Sequence, residues 1–335
     1  MIYTDPVEFA PQFARHVAAA QRPLILTHLN PDGDAIGSLL GVWHALRLMG
    51  KPATALAMPP VPSYATWLPG IDDIQIYQRG SDLPDCDLVI MVDTATIQRA
   101  GPVADDHSHR LQQLPLIIID HHITNDGAGI VDLIQPRAAS TCELLQQLFA
   151  ALALPPNEDL ATCLLLGLTT DTQSFQTSAT IGDSLRAAAD LLDSGADHRA
   201  VVEHVYNALP AGGALLIGQA LSSMRFEDGV AWTTITRAMM QATGAPDDSV
   251  DEVIQVMRRI GDARALVLFK ETREGITKIS LRSRPPINVA ALAQRWGGGG
   301  HAQAAGATLP FHHTQATNEI IPLLKALVGS HSSSR

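Results

Sequence analysis

The chain of 335 residues has few features that would cross-link it or anchor it in a membrane. Its three cysteines, Cys86, Cys142 and Cys163, are widely spaced and odd in number, which favours buried thiols in a reducing compartment over a disulfide framework. They form no Cys-x-x-Cys zinc pattern. No apolar run reaches the length of a membrane span, and the N-terminal segment has no apolar signal region. We therefore expect a cytoplasmic protein without membrane partners.

Basic residues are also scarce, since 23 Lys and Arg stand against 34 Asp and Glu, with a formal net charge of −11. This balance disfavours a large surface for duplex DNA. It leaves room for a short nucleic-acid substrate, because metal ions and a local basic patch can offset the charge. Residues 251–300 hold nine Lys and Arg against five Asp and Glu. That local excess fits either such a patch or scattered, solvated charge.

The length allows two domains, each with its own core. Apolar runs without alternation, separated by stretches with helical periodicity, predict an α/β fold with a doubly wound, mainly parallel sheet in the first half. The predicted strands are 23–29, 53–58, 88–92 and 116–119, and the predicted helices are 34–49, 139–152, 157–170 and 181–194. The second half predicts a smaller α/β domain with a mixed sheet, from strands at 230–236, 264–270 and 277–281 and a short helix at 288–296.

We place the domain boundaries at 1–194 for a catalytic domain, 195–213 for a connector with one short helix at 201–208, and 214–330 for a substrate-binding domain. Pro210 and the Gly212-Gly213 pair are typical of such a connector. A cleft is expected between the two domains. The C-terminal SHSSSR segment is predicted to be disordered.

Acidic residues and histidines follow the apolar runs of the first half, where strands and one helix are predicted to end. They lie in the segments His28-Leu29-Asn30-Pro31-Asp32-Gly33-Asp34, Asp93, Asp120-His121-His122 and Asp171. Ligands of open parallel sheets bind beyond the carboxyl ends of the strands, so these side chains are expected to converge. Carboxylates and imidazoles suit a site for two divalent cations, in which a carboxylate such as Asp93 bridges metals about 3.5–4 Å apart.

Each of these residues also has a purely structural explanation. Asp34 could be the N-cap of the following helix, His28 an interior histidine, Asp93 the cap of a turn, and Asp171 a residue that happens to end a helix. Their joint occurrence at strand ends favours a functional site, because structural roles give no reason for all of them to meet at one edge.

Four motifs resemble those of the DHH phosphoesterases, a family named after Asp120-His121-His122. They are HLNPDGDAIGS, MVDTA, IIIDHHITN and TTDTQSF. The resemblance implies one manganese ion bound by His28, Asp32 and Asp93, and a second bound by Asp34, Asp93, His121 and Asp171. It also implies that His122 faces the substrate phosphate. One position departs from the family, since Gln173 stands where the fourth motif usually has glycine.

The segments SLRS and GGGGHAQAAG resemble the DHHA1 domain that accompanies one branch of this family. Consecutive glycines let backbone N–H groups approach an anion, and an arginine suits phosphate, although a flexible linker also explains a glycine run. By the resemblance, the end of the substrate away from the metals is held by Arg282, Ser283, Gly299, Gly300 and His301. The glycine run is expected to lie between two helices.

Length and connector resemble the NrnA-type branch, which implies a hydrolase with catalytic residues Asp93 and His122. Its expected substrates are short oligoribonucleotides, cut to 5′-mononucleotides, and 3′-phosphoadenosine 5′-phosphate (pAp), which gives AMP. The expected cofactors are two Mn²⁺ ions, with Mg²⁺ or Co²⁺ as alternatives. Two other functions stay open: hydrolysis of cyclic di-AMP or linear pApA, and nucleotide sensing without turnover. The sequence also leaves open a homo-oligomer, the polarity of digestion, and RNA against DNA.

Overall fold

The computed structural model describes residues 1–272 and 275–330. The chain divides into two compact units, Met1–Ala208 and Leu209–Arg335. The tail predicted to be disordered comprises residues 330–335. Ser330 ends the last helix, and residues 331–335 lie outside the described part. Within the described residues, no single helix has both the length and the apolar composition of a membrane span. Two consecutive helices, His198–Tyr206 and Ala211–Ser222, reach that length and composition only when they are counted together.

The first unit is built on a parallel sheet of seven strands. These are β1 Ile2–Tyr3, β2 Pro23–Leu26, β3 Thr54–Ala57, β4 Gln75–Ile76, β5 Leu88–Val92, β6 Leu116–Asp120 and β7 Val131–Ile134. Their order in the sheet is β1-β7-β6-β5-β2-β3-β4, and all neighbours are parallel. The helices are α1 Pro6–Ala19, α2 Gly33–Leu48, α3 Pro102–Leu111, α4 Thr141–Ala151, α5 Glu158–Asp171, α6 Gly182–Asp193 and α7 His198–Tyr206.

Helices cover both faces of this sheet. Alternate residues of β5 belong to different cores: Ile90 packs with residues of α1, α2, α4 and α5, whereas Val89 packs with residues of α3. Because side chains alternate between the two faces of a strand, both faces of β5 are buried, and every residue of the strand must be apolar. The predicted doubly wound parallel sheet is confirmed.

The strand order reverses between β2 and β5. From β2 the chain proceeds outward through β3 and β4, and from β5 it proceeds in the opposite direction through β6 and β7. Loops at the carboxyl ends of two such strands diverge and leave a crevice, which is where ligands of open α/β sheets bind. His28 follows β2 and Asp93 follows β5, so both lie at this crevice.

Side-chain caps set where the helices next to the crevice begin. Asp32, not Asp34, is the N-cap of α2, because its carboxylate accepts the N–H of Ala35 at 3.0 Å. The alternative that assigned this role to Asp34 is therefore wrong. Ser140 is the N-cap of α4 and accepts the N–H of Glu143 at 3.0 Å.

The second unit contains a mixed sheet of six strands, as predicted. They are β8 Arg225–Glu227, β9 Val230–Ile235, β10 Ala265–Glu271, β11 Thr277–Ser283, β12 Gly299–His301 and β13 Ala304–Leu309. The order is β12-β13-β11-β10-β9-β8, and only β9 and β10 are parallel within the described residues. The helices are α8 Ala211–Ser222, α9 Arg237–Thr243, α10 Ser249–Arg258, α11 Ala290–Gln294 and α12 His313–Ser330.

Glycines account for two differences from the predicted elements. The Gly212-Gly213 pair lies inside α8, where a Cβ on Gly212 would stand 2.6 Å from the carbonyl oxygen of Thr243, so close packing requires glycine there. The glycine run does not lie in a loop between helices. Gly299 and Gly300 begin the edge strand β12. A Cβ on Gly300 would stand 2.3 Å from the carbonyl oxygen of Ala304, so the close approach of β12 to β13 requires glycine at that position.

Candidate metal centre

The loop between β2 and α2 forms a first cluster of possible ligands with the end of β5. His28 Nε2 lies 3.5 Å from Asp93 Oδ2 and 3.9 Å from Asp32 Oδ1. His28 Nδ1 lies 2.9 Å from the carbonyl oxygen of Leu29, so Nδ1 carries the proton and the lone pair of Nε2 faces the carboxylates. These three side chains could hold one metal ion.

A second cluster joins the start of α2, the end of β6 and the end of α5. His121 Nε2 lies 3.5 Å from Asp171 Oδ2 and 3.9 Å from Asp34 Oδ2. His121 Nδ1 lies 3.3 Å from the carbonyl oxygen of Ala138, which again directs Nε2 toward the carboxylates. Asp34, His121 and Asp171 could hold another metal ion.

Asp93 lies between the two clusters. Its Oδ2 is 3.5 Å from His28 Nε2, whereas its Oδ1 is 3.6 Å from His121 Nε2. The hydroxyl of Thr141 donates to Oδ1 at 3.2 Å and fixes the carboxylate plane. Asp93 has a φ of +53°, in the left-handed region that disfavours a side chain, and such strain is typical of functional sites. The two oxygens point to different clusters, as a bridging carboxylate requires.

The carboxylate of Asp34 is held by the N-terminus of α4. It accepts the backbone N–H of Thr141 at 2.6 Å and that of Cys142 at 3.0 Å. These N–H groups have no partner inside the helix, and the helix dipole favours an anion at this end. A fully buried carboxylate is thereby fixed in one orientation beside His121.

Negative charge is concentrated at these clusters. Burial and the neighbouring carboxylates of Asp34 and Asp32 raise the pKa of Asp93 well above its ordinary value. Burial and Asp34 raise the pKa of Asp171 to about 7. Burial lowers the pKa of His121, but the surrounding carboxylates, Asp34 first, outweigh it and raise this pKa to about 9. Bound divalent cations would relieve this repulsion, so the donor set fits a metal centre.

The first residue of the DHH motif orients the third. Asp120 is fully buried, and its Oδ1 accepts His122 Nδ1–H at 2.7 Å, while its Oδ2 accepts the amide of Asn125 at 2.7 Å. Burial would raise the pKa of Asp120, but the hydrogen bonds and the charge of His122 outweigh it and lower the pKa. Nδ1 of His122 is thus occupied, and Nε2 is directed away from Asp120. The sequence motif DHHITN contained both Asp120 and Asn125, but only the structure reveals their supporting role.

Three consecutive residues after α5 have positive φ angles. They are Gln173 at +50°, Ser174 at +56° and Phe175 at +63°. The turn is closed by a hydrogen bond from the N–H of Phe175 to the hydroxyl of Thr172 at 3.0 Å. Gln173 therefore occupies a position whose backbone favours glycine, two residues after the candidate ligand Asp171.

In the second unit, Arg282 and His301 lie on one face of the sheet. Arg282 on β11 pairs with Ala304 on β13, and Ala304 pairs in turn with His301 on β12. Directly paired residues of antiparallel strands point to the same side. Gly299 lies on this face too, two residues before His301. The opposite face, which includes Leu281, is buried in the core.

Ser283 and Gly300 do not share that face. Ser283 follows Arg282 and points the other way, where its hydroxyl donates to the carbonyl oxygen of Ile287 at 2.7 Å. Gly300 has a φ of +137°, and a Cβ there would stand 2.3 Å from the carbonyl oxygen of Ala304. Both residues thus have structural roles in shaping the ends of their strands.

Comparison with known proteins gives two family matches. Residues 22–168 match the DHH family, N-terminal domain, and residues 233–330 match the DHHA1 domain. The chain is 32% identical over 297 residues to the "bifunctional oligoribonuclease and PAP phosphatase NrnA" of Thermus thermophilus. The aligned region covers 88% of this chain and 87% of that protein. It is 25% identical over 325 residues to the cyclic-di-AMP phosphodiesterase PdeA of Listeria monocytogenes, covering 88% of this chain but 45% of that protein.

A solved structure shares the fold. It is that of an exopolyphosphatase-related protein from Bacteroides fragilis, with a TM-score of 0.87 and 24% sequence identity. The match covers 97% of this chain and 96% of that one. At this identity the likeness concerns the fold alone.

Proposed function

The chain belongs to the DHH family of phosphoesterases and carries a DHHA1 domain, and from this premise we propose that it hydrolyses short oligoribonucleotides and pAp. The products would be 5′-mononucleotides and AMP. The observation that carries the proposal is the position of Asp93, whose two carboxylate oxygens face two separate groups of nitrogen and oxygen donors. The relative from Thermus thermophilus supports the choice of substrates.

Two divalent cations would be bound by this chain, and Mn²⁺ fits the mixed donors best. Imidazole and carboxylate together suit a metal between the oxygen preference of Mg²⁺ and the nitrogen preference of later transition metals. One ion would be held by His28, Asp32 and Asp93. The other would be held by Asp34, Asp93, His121 and Asp171.

When bound, such cations supply an activated water and positive charge against the phosphoryl oxygens. The chain's own residues supply position and a proton donor. Asp93 fixes the separation of the two groups, and Asp120 holds His122 through Nδ1–H so that Nε2 faces outward, where the doubly protonated ring can donate to a phosphoryl oxygen. In hydrolysis the bond from phosphorus to the 3′-oxygen breaks, a bond to the water oxygen forms, and the 3′-oxygen leaves with a proton from water.

The end of the substrate away from the cations would be bound by the second unit. Arg282, Gly299 and His301 lie on the same face of the sheet and none of the three is buried, and a guanidinium and an imidazole on one face can together bind a phosphate. In pAp the group at that end is the 5′-phosphate. Ser283 and Gly300, which shape the adjoining strand ends, would contribute backbone contacts or support.

The test is an assay of the metal-free protein with pApA and pAp, with Mn²⁺, Mg²⁺ or Co²⁺ added back. We expect AMP from both substrates with Mn²⁺, and none with a chelator. Asp93→Asn, which preserves the side-chain shape, should reduce turnover to background, and Asp105→Asn, an exposed aspartate in α3, should not. Consumption of cyclic di-AMP in preference to both substrates, or tight binding of pAp without AMP release, would contradict the proposal.

A further inference from the structure

Thr141 contacts two carboxylates of the candidate metal centre. Its hydroxyl donates to Asp93 Oδ1 at 3.2 Å, and its backbone N–H donates to Asp34 Oδ2 at 2.6 Å. Thr141 is the first residue of α4, directly after the N-cap Ser140, so this N–H has no partner inside the helix. Thr141 is fully buried, and Asp93 is 2% exposed. The start of α4 therefore holds two buried carboxylates that come from different segments of the chain.

The hydroxyl of Thr141 decides which way the Asp93 carboxylate faces. The terminal torsion of an aspartate has a broad range, so the rotamer alone does not assign its two oxygens to the two clusters. In the part of the chain that the structure describes, this hydroxyl is the one hydrogen-bond donor to the Asp93 carboxylate. His28 and His121 also face the carboxylate, with Nε2 at 3.5 and 3.6 Å, but these nitrogens are proposed metal ligands. A nitrogen bound to a cation cannot hold the carboxylate in place.

The hydroxyl acts on one oxygen of Asp93 only. Oδ1, which faces the second cluster of possible ligands, accepts the hydroxyl proton with one lone pair and keeps another for a cation. Oδ2 faces the first cluster and accepts no hydrogen bond from the described residues. A carboxylate fixed at Oδ1 thus serves each cation with one oxygen. A carboxylate free to turn can bind a single cation through both oxygens, and the other cation then loses a ligand.

We propose that Thr141 is a positioning residue whose hydroxyl keeps the Asp93 carboxylate shared between two cations. The proposal rests on the two-cation centre of the proposed function. Loss of the hydroxyl should weaken the binding of one cation and leave the other bound. Thr141→Val tests the hydroxyl alone, because valine has a similar shape and the backbone N–H that Thr141 donates to Asp34 remains.

The experiment is a calorimetric titration of the metal-free protein with Mn²⁺, followed by electron paramagnetic resonance of the loaded protein. The parent should bind two Mn²⁺ per chain, with coupled spins because the ions share a carboxylate. Thr141→Val should bind one Mn²⁺ as the parent does and the other about 10- to 100-fold more weakly, the range seen when a partner that orients a metal ligand is lost. Its spectrum at low Mn²⁺ should be that of isolated ions. The Mn²⁺ concentration for half-maximal turnover of pAp should rise by the same factor.

Two further variants separate the hydroxyl from its surroundings. Thr141→Ser keeps the hydroxyl and should bind both Mn²⁺ ions as the parent does. Thr233→Val is the matched control in the second unit, where Thr233 is 1% exposed and its hydroxyl donates to the carbonyl oxygen of Ala220 at 2.6 Å. This change also removes a buried hydrogen bond, but it should leave both Mn²⁺ affinities unchanged.

Three results would overturn the proposal. Parent affinities in Thr141→Val would show that the hydroxyl does not orient Asp93. Equal weakening of both cations would mean a general disturbance of the site rather than loss of the shared carboxylate. A loss in Thr141→Ser as large as in Thr141→Val would show that the methyl group, not the hydroxyl, is needed. If the parent itself binds fewer than two Mn²⁺ per chain, the proposed function fails, and that result is distinct because it appears before any variant is made.

Discussion

The Nδ1 atom of His122 and the Oδ1 atom of Asp120 are 2.7 Å apart, in a pair whose carboxylate is fully buried. A histidine held in this way keeps a proton on Nδ1 and has a fixed ring orientation. The second carboxylate oxygen is held by Asn125, so Asp120 cannot turn away. Asp120 thus belongs to the machinery of the site, although it faces neither cluster of possible ligands.

We predict that Asp120→Asn lowers kcat by about 10- to 100-fold, the range seen when a partner that orients a site residue is lost. An amide at this position has no negative charge to stabilise the doubly protonated ring, and it no longer holds Nδ1–H when its own N–H faces Nδ1. The affinity for Mn²⁺ should change little, because Asp120 is not among the proposed ligands. The measurements are kcat on pAp and a calorimetric titration with Mn²⁺.

Asn125→Ala serves as the graded comparison, since it removes only the support of Asp120. It should reduce kcat less than Asp120→Asn does. If Asp120→Asn abolishes Mn²⁺ binding while Asn125→Ala has no effect on either quantity, Asp120 acts on the metal centre directly and the positioning role is wrong.

The stability of the metal-free protein should fall as the pH rises. The pKa of His121 is raised to about 9, so its stabilising contribution is complete below its ordinary pKa of about 6.5 and is lost as the pH rises through 9. The pKa of Asp171 is raised to about 7, so the folded state binds more protons than the unfolded state between about pH 4 and pH 7. Both groups therefore act in the same direction.

Thermal unfolding in a chelator checks this expectation, with the melting temperature decreasing between about pH 5 and pH 9. Saturating Mn²⁺ should reverse the trend at the upper end of this pH range, because the cations favour the deprotonated ligands. A Mn²⁺ concentration of 100 times Kd adds about 2.7 kcal/mol to the free energy of unfolding. Asp93→Asn should be at least as stable as the parent without metal and should gain little from Mn²⁺. A melting temperature that rises with pH in the chelator would contradict the assignment.

Sequence patterns predicted the elements that carry the site, because those elements have simple signals. Strand β5 is continuously apolar, as a strand buried on both faces must be, and it was predicted at the residues where it lies. Strand β7 contains Asp132, whose polar side chain hides the pattern. That carboxylate is buried because it accepts the N–H groups of Ile118 and Gly129, and the sequence gives no sign of this compensation.

Helix α8 and strand β12 could not be predicted for a related reason. Glycines disfavour both elements by intrinsic propensity, and only the neighbouring backbone explains why they are needed. At the site, the motif residues could be named from the sequence, but the division of the Asp93 oxygens between two clusters depends on coordinates.

The two glycines of β12 should respond differently to alanine. In Gly300→Ala the new Cβ would stand 2.3 Å from the carbonyl oxygen of Ala304, at a φ of +137°. We expect a loss of about 1–3 kcal/mol in the free energy of unfolding. In Gly299→Ala the Cβ would meet nothing within 4 Å, so stability should stay within about 0.5 kcal/mol of the parent.

Activity separates the roles of these glycines. Because Gly299 lies on the face of Arg282 and His301, Gly299→Ala should raise KM for pAp while kcat changes little. Denaturant unfolding and steady-state kinetics on both variants provide the measurements. A Gly299→Ala protein with the parent KM would show that the substrate does not approach this backbone closely.

Gln173→Gly should stabilise the protein, since Gln173 has a φ of +50° and a side chain in the left-handed region costs about 1 kcal/mol relative to glycine. The gain is reduced by the greater freedom of glycine in the unfolded chain, so we expect an increase of about 0.5 kcal/mol in the free energy of unfolding.

Gln176→Gly is the matched control. Gln176 is also a glutamine in a turn with an exposed side chain, but its φ is negative, so this change should destabilise the protein. Denaturant unfolding of both variants, with the Mn²⁺ affinity unchanged in Gln173→Gly, checks the argument. Equal destabilisation by both changes would mean that contacts of the Gln173 side chain outweigh its backbone strain.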